Sequence, residues 1–365
     1  MGTISIAGAP SHAPSHRVPP APSPWLVAVA VPLVVGAIAW SIQLSGGFST
    51  LGTGDAIAWG AYIAAFFLLA GAGCSLVLLA TLSDLDVVPG MASLRQQALM
   101  GALAALLTAG VAILLDIGRP LRVVNFLLSP NPASPFVWDF YGLLAAIVVA
   151  ALALFLGPGV RWLSLLGALV AVLVIVVEAF ILGVTTARPL WHGGILAVSF
   201  LVEGIAAASA LVILLGGERS KALPFLKGLL AGCLALSLFL SLSEAVTSSY
   251  GGDQGARDAL ALLLSGNLAV FYWSQLAFGV ALPCLLLLLA GGEPMALGAG
   301  AILAIAGVFA GKLNLLVAGQ AHPFMQKVAS YSPSPVELGG LIGLLGLFAT
   351  LYLLGTRFLS RSQRS

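Results

Sequence analysis

Seven ionisable side chains stand inside or at the edge of stretches that otherwise carry almost no charge: Asp116, Asp139, Glu178, Glu203, Glu244, Lys312 and Glu337. Only 8% of the 365 residues are Asp, Glu, Lys or Arg. A carboxyl in apolar surroundings can hold or pass a proton, or hydrogen-bond a polar ligand. In Asp116-Ile-Gly-Arg119-Pro120 the acid and the arginine are three residues apart on the last turn of a helix that Pro120 ends. Two readings stand side by side. The pair either terminates the helix as an ion pair, or Asp116, tuned by Arg119, binds a proton or a polar headgroup. Lys312 either snorkels to the interface or pairs with Glu178, which would account for both charges. Glu203, in mid-helix, is the best single candidate for a buried, protonated carboxyl.

The elements that position these groups follow from hydropathy. The chain is 60% hydrophobic, with a mean hydropathy of +1.10. Ten apolar runs, about 25–44, 56–81, 93–117, 136–156, 161–183, 192–215, 223–247, 268–290, 295–318 and 336–356, are each long enough to span a bilayer. They lack the two-residue alternation of barrel strands, so helices are required. The expected fold is all-α and integral to the membrane, with two four-helix bundles (helices 2–5 and 6–9) flanked by helices 1 and 10. We expect a disordered tail over 1–24 and a membrane region over 25–356. Within it the first bundle covers 55–190 and the second 191–320, with a tail at 357–365. Counting Lys and Arg on each side gives nine against six, which places both termini in the cytoplasm. The ionisable groups then crowd towards the outer face.

Offsetting helix 6 by 133 residues onto helix 2 pairs Gly60 with Gly193, Phe67 with Phe200 and Gly71 with Gly204. Near that offset Glu178 falls beside Lys312, and Asp116 near Glu244. Four helices separate the copies, so the repeat is parallel.

Some chemistry is excluded. Cys74, Cys233 and Cys284 form no CxxC, which argues against an iron–sulfur cluster or zinc site in this chain. Outside the tail the histidines are His192 and His322, both in or beside loops, so no haem is expected. The scattered arginines give no nucleic-acid surface. The loop Ser129-Pro-Asn-Pro-Ala-Ser-Pro135 is a rigid connector or a preformed docking surface for a peripheral subunit. Trp138 and Tyr141 suit an interfacial aromatic belt.

Four stretches together resemble the membrane subunits of the NrfD/PsrC (polysulfide reductase membrane subunit) family, in its longer ten-helix branch. They are Trp59-Gly-Ala-Tyr-Ile63 leading to Gly71, Asp116-x-Gly-Arg-Pro120 with its Pro-rich loop and Trp138-Asp139, Arg188-Pro-Leu-Trp191, and Lys312-x-Asn314 with Gly319-Gln320 and Tyr331-x-Pro-Ser-Pro-x-Glu337. The resemblance implies a quinone-reactive anchor in a bacterial or archaeal inner membrane, without haem or iron–sulfur cluster of its own. It exchanges electrons between menaquinone or ubiquinone and a ferredoxin-like iron–sulfur subunit, which serves a molybdopterin catalytic subunit or a multihaem cytochrome. Matched to that role, Asp116, Asp139 and Glu178 are the expected proton-handling groups. Arg119, Trp138, Tyr141 and His192 are expected around the headgroup, and Glu203, Glu244 and Lys312 along a proton path. The competing reading is a proton- or ion-coupled secondary transporter. It would use Glu203, Lys312 and the repeat, but leaves the outer Pro-rich loops without a role.

Overall fold

The computed structural model describes residues 24–251, 254–289, 293–321 and 330–362, with side chains from 28 to 359. The tail expected over 1–24 lies outside these residues but for its last position, as do 363–365 of the C-terminal tail and His322. All the described secondary structure is helical. Ten helices are long and apolar enough to cross a membrane. We number them α1 (Pro24–Gly46), α2 (Ala61–Asp84), α3 (Arg95–Asp116), α4 (Pro135–Leu156), α5 (Arg161–Gly183), α6 (Leu196–Leu214), α7 (Leu223–Tyr250), α8 (Ala269–Leu289), α9 (Pro294–Ala321) and α10 (Pro335–Ser362).

Local sequence explains where the helices start, stop and bend. Pro135 and Pro335 occupy first-turn positions, where the missing N–H costs nothing. After α3, Gly118 takes φ +67° beneath the ring of Phe48, a conformation and a space that suit glycine alone. In α8 the backbone widens into a π-turn over Ala277–Ala281. Pro283 follows directly and cannot donate to the carbonyl four residues back, so the wide turn absorbs the lost bond.

The hub is α2. Its most apolar window is 83% buried, against 17% for α1 and 22% for α10. It packs on α3, α5, α6 and α9, while α6 packs on α5, α7 and α9; α1 lies on α10, and α10 on α3. The crossing of α2 and α6 joins positions that the 133-residue offset makes equivalent. Phe67 and Phe200 meet edge to face at 5.2 Å between ring centroids. Added to Gly204, a methyl group would lie 2.9 Å from the carbonyl oxygen of Gly71. Equivalent residues face to face are what a two-fold relation between repeats produces, and small residues permit the approach.

At the end of the molecule where α2 finishes and α3 begins, one charge pair is buried. Arg95 Nε donates to Asp84, and its Nη2 reaches the carbonyls of Ala153 at 2.9 Å and Gly157 at 3.2 Å. Ser164 Oγ donates to the other Asp84 oxygen at 2.5 Å. Four helices are thereby tied together, and Arg95, counted in the sequence only for its charge, is a structural residue. Removing one partner of a buried pair leaves the other uncompensated. We expect Arg95→Met to destabilise the protein by about 3–5 kcal/mol, read as a lowered unfolding midpoint in detergent. The double variant Asp84→Leu/Arg95→Met should be less destabilised than Arg95→Met alone.

Candidate functional site

The opposite end of the molecule is knitted by polar side chains from distant parts of the chain. Gln320, near the end of α9, accepts from the N–H groups of Ala58 and Trp59 at 2.9 and 3.0 Å and donates to the Trp59 carbonyl at 2.9 Å. Arg188 Nη1 donates to the Gln320 carbonyl at 3.0 Å. Trp191 donates to the Leu315 carbonyl and stacks on Trp59 at 5.5 Å. At the start of α10, Ser334 and Glu337 form a reciprocal capping box: Glu337 N–H donates to Ser334 Oγ at 3.1 Å and Ser334 N–H to Glu337 Oε2 at 3.0 Å. Glu337 also accepts from Gly52 N–H at 2.6 Å and from Tyr331 Oη at 2.9 Å. Tyr331 lies outside the spans. Burial, and then the charge of Glu337, push its phenol above the ordinary tyrosine range, so it remains a neutral donor.

Asp116 belongs to this rim. It is half-buried, within electrostatic reach of Glu337 and Tyr62. Tyr62 donates to Gln43, and Gln43 donates to the Leu115 carbonyl at 2.6 Å, which fixes the end of α3 against α1 and α2. Arg119 is exposed beyond the helix end and is not paired with Asp116 in any ion pair among the described residues.

Deeper lies a second group of atoms. Asp139, on the first turn and a half of α4, is buried, and its Oδ1 has no hydrogen-bond partner. Glu178 on α5 is fully buried with neither carboxyl oxygen partnered. Glu178 sits over Gly71, where a methyl group would come within 4.0 Å of Oε2. It is close enough to Asp139 and to Lys312 to feel both charges. Ser75 Oγ, one turn along α2 from Gly71, is also buried and unpartnered. Buried polar atoms in native proteins are nearly always satisfied, so a cluster of unsatisfied ones marks a place for a proton or a ligand. From the helix ends these carboxyls lie only about 6–8 Å in.

Across the α2–α6 seam the charges are paired. Lys312 Nζ stands 2.7 Å from Glu203 Oε2 and 3.0 Å from the centroid of the Phe200 ring. The approach is that of an ion pair rather than an aligned hydrogen bond. This differs from both sequence readings of Lys312, snorkelling or a pair with Glu178, and gives Glu203 a cationic partner. Helix registry decides it, because Phe200 and Glu203 share the face of α6 turned to α9. Glu203 and Glu244 line a cavity of about 80 Å³ with Ser199, Ser241, Tyr272 and Gln275, room for a few waters. Glu244 also lines a wider groove of about 440 Å³ that includes His192.

The remaining predicted residues lie apart. Trp138 is exposed and donates to the Pro132 carbonyl at 2.6 Å; Tyr141 is exposed and donates to the Phe126 carbonyl at 3.0 Å. Both brace the Pro-rich loop. His192 is exposed in the groove beside Glu244, away from Asp139. Among the described residues no three His, Cys, Asp or Glu side chains converge as metal ligands. Sequence reasoning passed over Tyr272 and Gln275; the signal for Gln275 was a lone amide within an apolar run.

With this geometry in hand, comparison with known proteins decides the family. Residues 50–323 match the family model described as Polysulphide reductase, NrfD. The chain belongs to the NrfD family. Among its relatives, a selenate reductase subunit of Mesobacillus selenatarsenatis is 22% identical over 87% of this chain and 89% of its own length. A polysulfide reductase chain of Wolinella succinogenes is 30% identical over 60% of this chain and 81% of its own. A putative dimethyl sulfoxide reductase membrane subunit of Halobacterium salinarum is 34% identical over 32% of this chain, which spans about a quarter (27%) of that relative. The stretches that suggested the NrfD resemblance include the rim residues Trp59, Arg188, Trp191, Gln320, Tyr331 and Glu337. Much of that likeness lies in the scaffold.

Two outcomes test this division. Glu337→Ala strands Gly52 N–H, Ser334 N–H and Tyr331 Oη, and we expect it to lower stability by about 2–4 kcal/mol in a thermal melt in detergent. Lys312→Met leaves Glu203 without its cation, and a loss of about 3–5 kcal/mol is expected, partly recovered in Lys312→Met/Glu203→Gln.

Proposed function

We propose that this NrfD-family protein is the quinone-reactive membrane subunit of a respiratory reductase complex, with the headgroup met by Asp139 and Glu178. The observation that carries the reading is the cluster of unpartnered buried oxygens on these two residues near the helix ends. Interconversion of quinone and quinol moves two electrons and two protons. The site therefore needs groups that accept a hydroxyl hydrogen and hold a proton. Asp139 Oδ1 and the Glu178 carboxyl are of that chemistry, and burial among apolar helices excludes bulk water from them. Asp116, half-buried at the rim within electrostatic reach of Glu337, is suited to pass protons to the aqueous face. Trp138 and Tyr141 hold the loop over the site.

The relatives bear the names of parts of reductases, one of them expressly a membrane subunit, and this supports assembly with other subunits. We infer a ferredoxin-like iron–sulfur subunit as the direct electron partner, and beyond it a molybdopterin subunit or a multihaem cytochrome. Exposed Arg119, Leu121, Arg122 and Leu128 beside the Pro-rich loop are available for that contact. The charge count supports an inner-membrane location with cytoplasmic termini and this face outward. In the second half, the groove at His192, then Glu244, the small cavity and the Glu203–Lys312 pair form a stepwise route for protons from the outer face.

The test is made in the assembled complex. Glu178→Gln and Asp139→Asn are expected to lower quinone-linked turnover by about 100-fold. Electron transfer between the peripheral subunits and a soluble dye should stay as in the native complex. Unchanged quinone-linked turnover in both variants overturns the reading.

A further inference from the structure

Gln275 and Asn314 are amides within apolar helices. Asn314 Nδ2 approaches Gln275 Oε1 at 3.4 Å, a long contact that leaves amide hydrogens to spare. Both side chains line two spaces at once. One is the small polar cavity that contains Glu203 and Glu244. The other is a groove of about 300 Å³ between α8 and α9, walled by Phe271, Phe278, Leu303 and Leu313. Phe271 and Phe278 are exposed on the apolar surface of α8, so this groove opens towards the bilayer. The amide pair is thus the partition between a lipid-side groove and a polar interior cavity.

Glycine brings the reactive groups to that partition. A methyl group at Gly311 would stand 3.2 Å from Gln275 Nε2 and 3.8 Å from Glu203 Oε1, so both heads converge over the one position without a side chain. The π-turn of α8 lies immediately beyond Gln275, where Gly279 meets Gly307 backbone to backbone. π-Turns of this kind are frequent at functional sites.

We propose that the Gln275–Asn314 pair forms a second headgroup site for a lipid-soluble quinone, entered from the bilayer between α8 and α9 and separate from the Asp139–Glu178 pocket. It rests on the reading that this protein is quinone-reactive. The groove carries no cationic side chain to hold a phosphate. Its amides lie about 10 Å from the helix ends, deeper than a phospholipid headgroup sits. A neutral ring with carbonyl acceptors matches them: the amide N–H groups donate to the carbonyls, and Glu203 stands behind them as a proton partner with water access through Glu244.

The experiment is photolabelling of the assembled complex in lipid nanodiscs, with naphthoquinone and benzoquinone probes bearing a short tail diazirine. Two groups of labelled peptides are expected, one from α4–α5 and one from residues 271–313. Excess unlabelled quinone should compete at both. Gln275→Leu/Asn314→Leu should reduce the second group at least tenfold and spare the first. Leu303→Trp, which fills the groove from the lipid side without touching the amides, should do the same. Labelling confined to α4–α5 overturns the second site while leaving the function standing. So does α8–α9 labelling that survives all three substitutions or yields to phospholipid but not to quinone. Labelling at neither place overturns both.

Discussion

Gly71 and Gly204 let α2 and α6 approach until backbone lies against backbone, and the rest of the structure depends on that contact. In a bilayer the hydrophobic effect does not distinguish helix from lipid, so close packing must hold helices together. A side chain at Gly204 would press on the Gly71 carbonyl and push the helices apart. The Phe67–Phe200 contact would then open, Phe200 would leave Lys312, and the roof over Glu178 would lift. The seam is therefore both the mechanical centre and the floor of each polar cluster.

The second constraint is the treatment of charge. A buried charge costs several kcal/mol unless it is paired. The molecule answers in two ways. Asp84 with Arg95, and Glu203 with Lys312, are satisfied by a partner. Glu337 is satisfied by three donors from two segments of chain. Asp139 and Glu178 receive neither treatment in full, and this difference sets them apart from the structural acids more sharply than burial does.

Ten spans, their approximate ends and the polarity of one face were legible in the sequence because hydropathy and helix geometry are local properties. Two pairs that the 133-residue offset aligns in the sequence, Gly71 with Gly204 and Phe67 with Phe200, touch in the structure. Pairing was not legible. Lys312 was read as snorkelling or paired with Glu178, and the rotation of α6 brings Glu203 to it instead. The capping role of Glu337 was available in Ser334-Pro-Val-Glu337, but its bonds to Gly52 and Tyr331 cross 285 residues of chain in one case and span a loop in the other. The donor of Trp138 went to the nearby Pro132 carbonyl, because a loop with three prolines offers few N–H groups and many free oxygens.

The repeat also explains why Glu178 is left without a partner. Its counterpart near the 133-residue offset is Lys312, a base where the first half has an acid. Lys312 is neutralised by Glu203, and the position equivalent to Glu203 in the first half is Ala70, which is fully buried. One half thus carries a complete ion pair at the seam, and the other has an alanine where that pair's acid would stand. The second half keeps its charge balanced within the protein, and the first leaves a carboxyl whose balance must come from a proton or a bound molecule. That asymmetry makes Glu178 the residue on which the two halves differ in chemistry while agreeing in form.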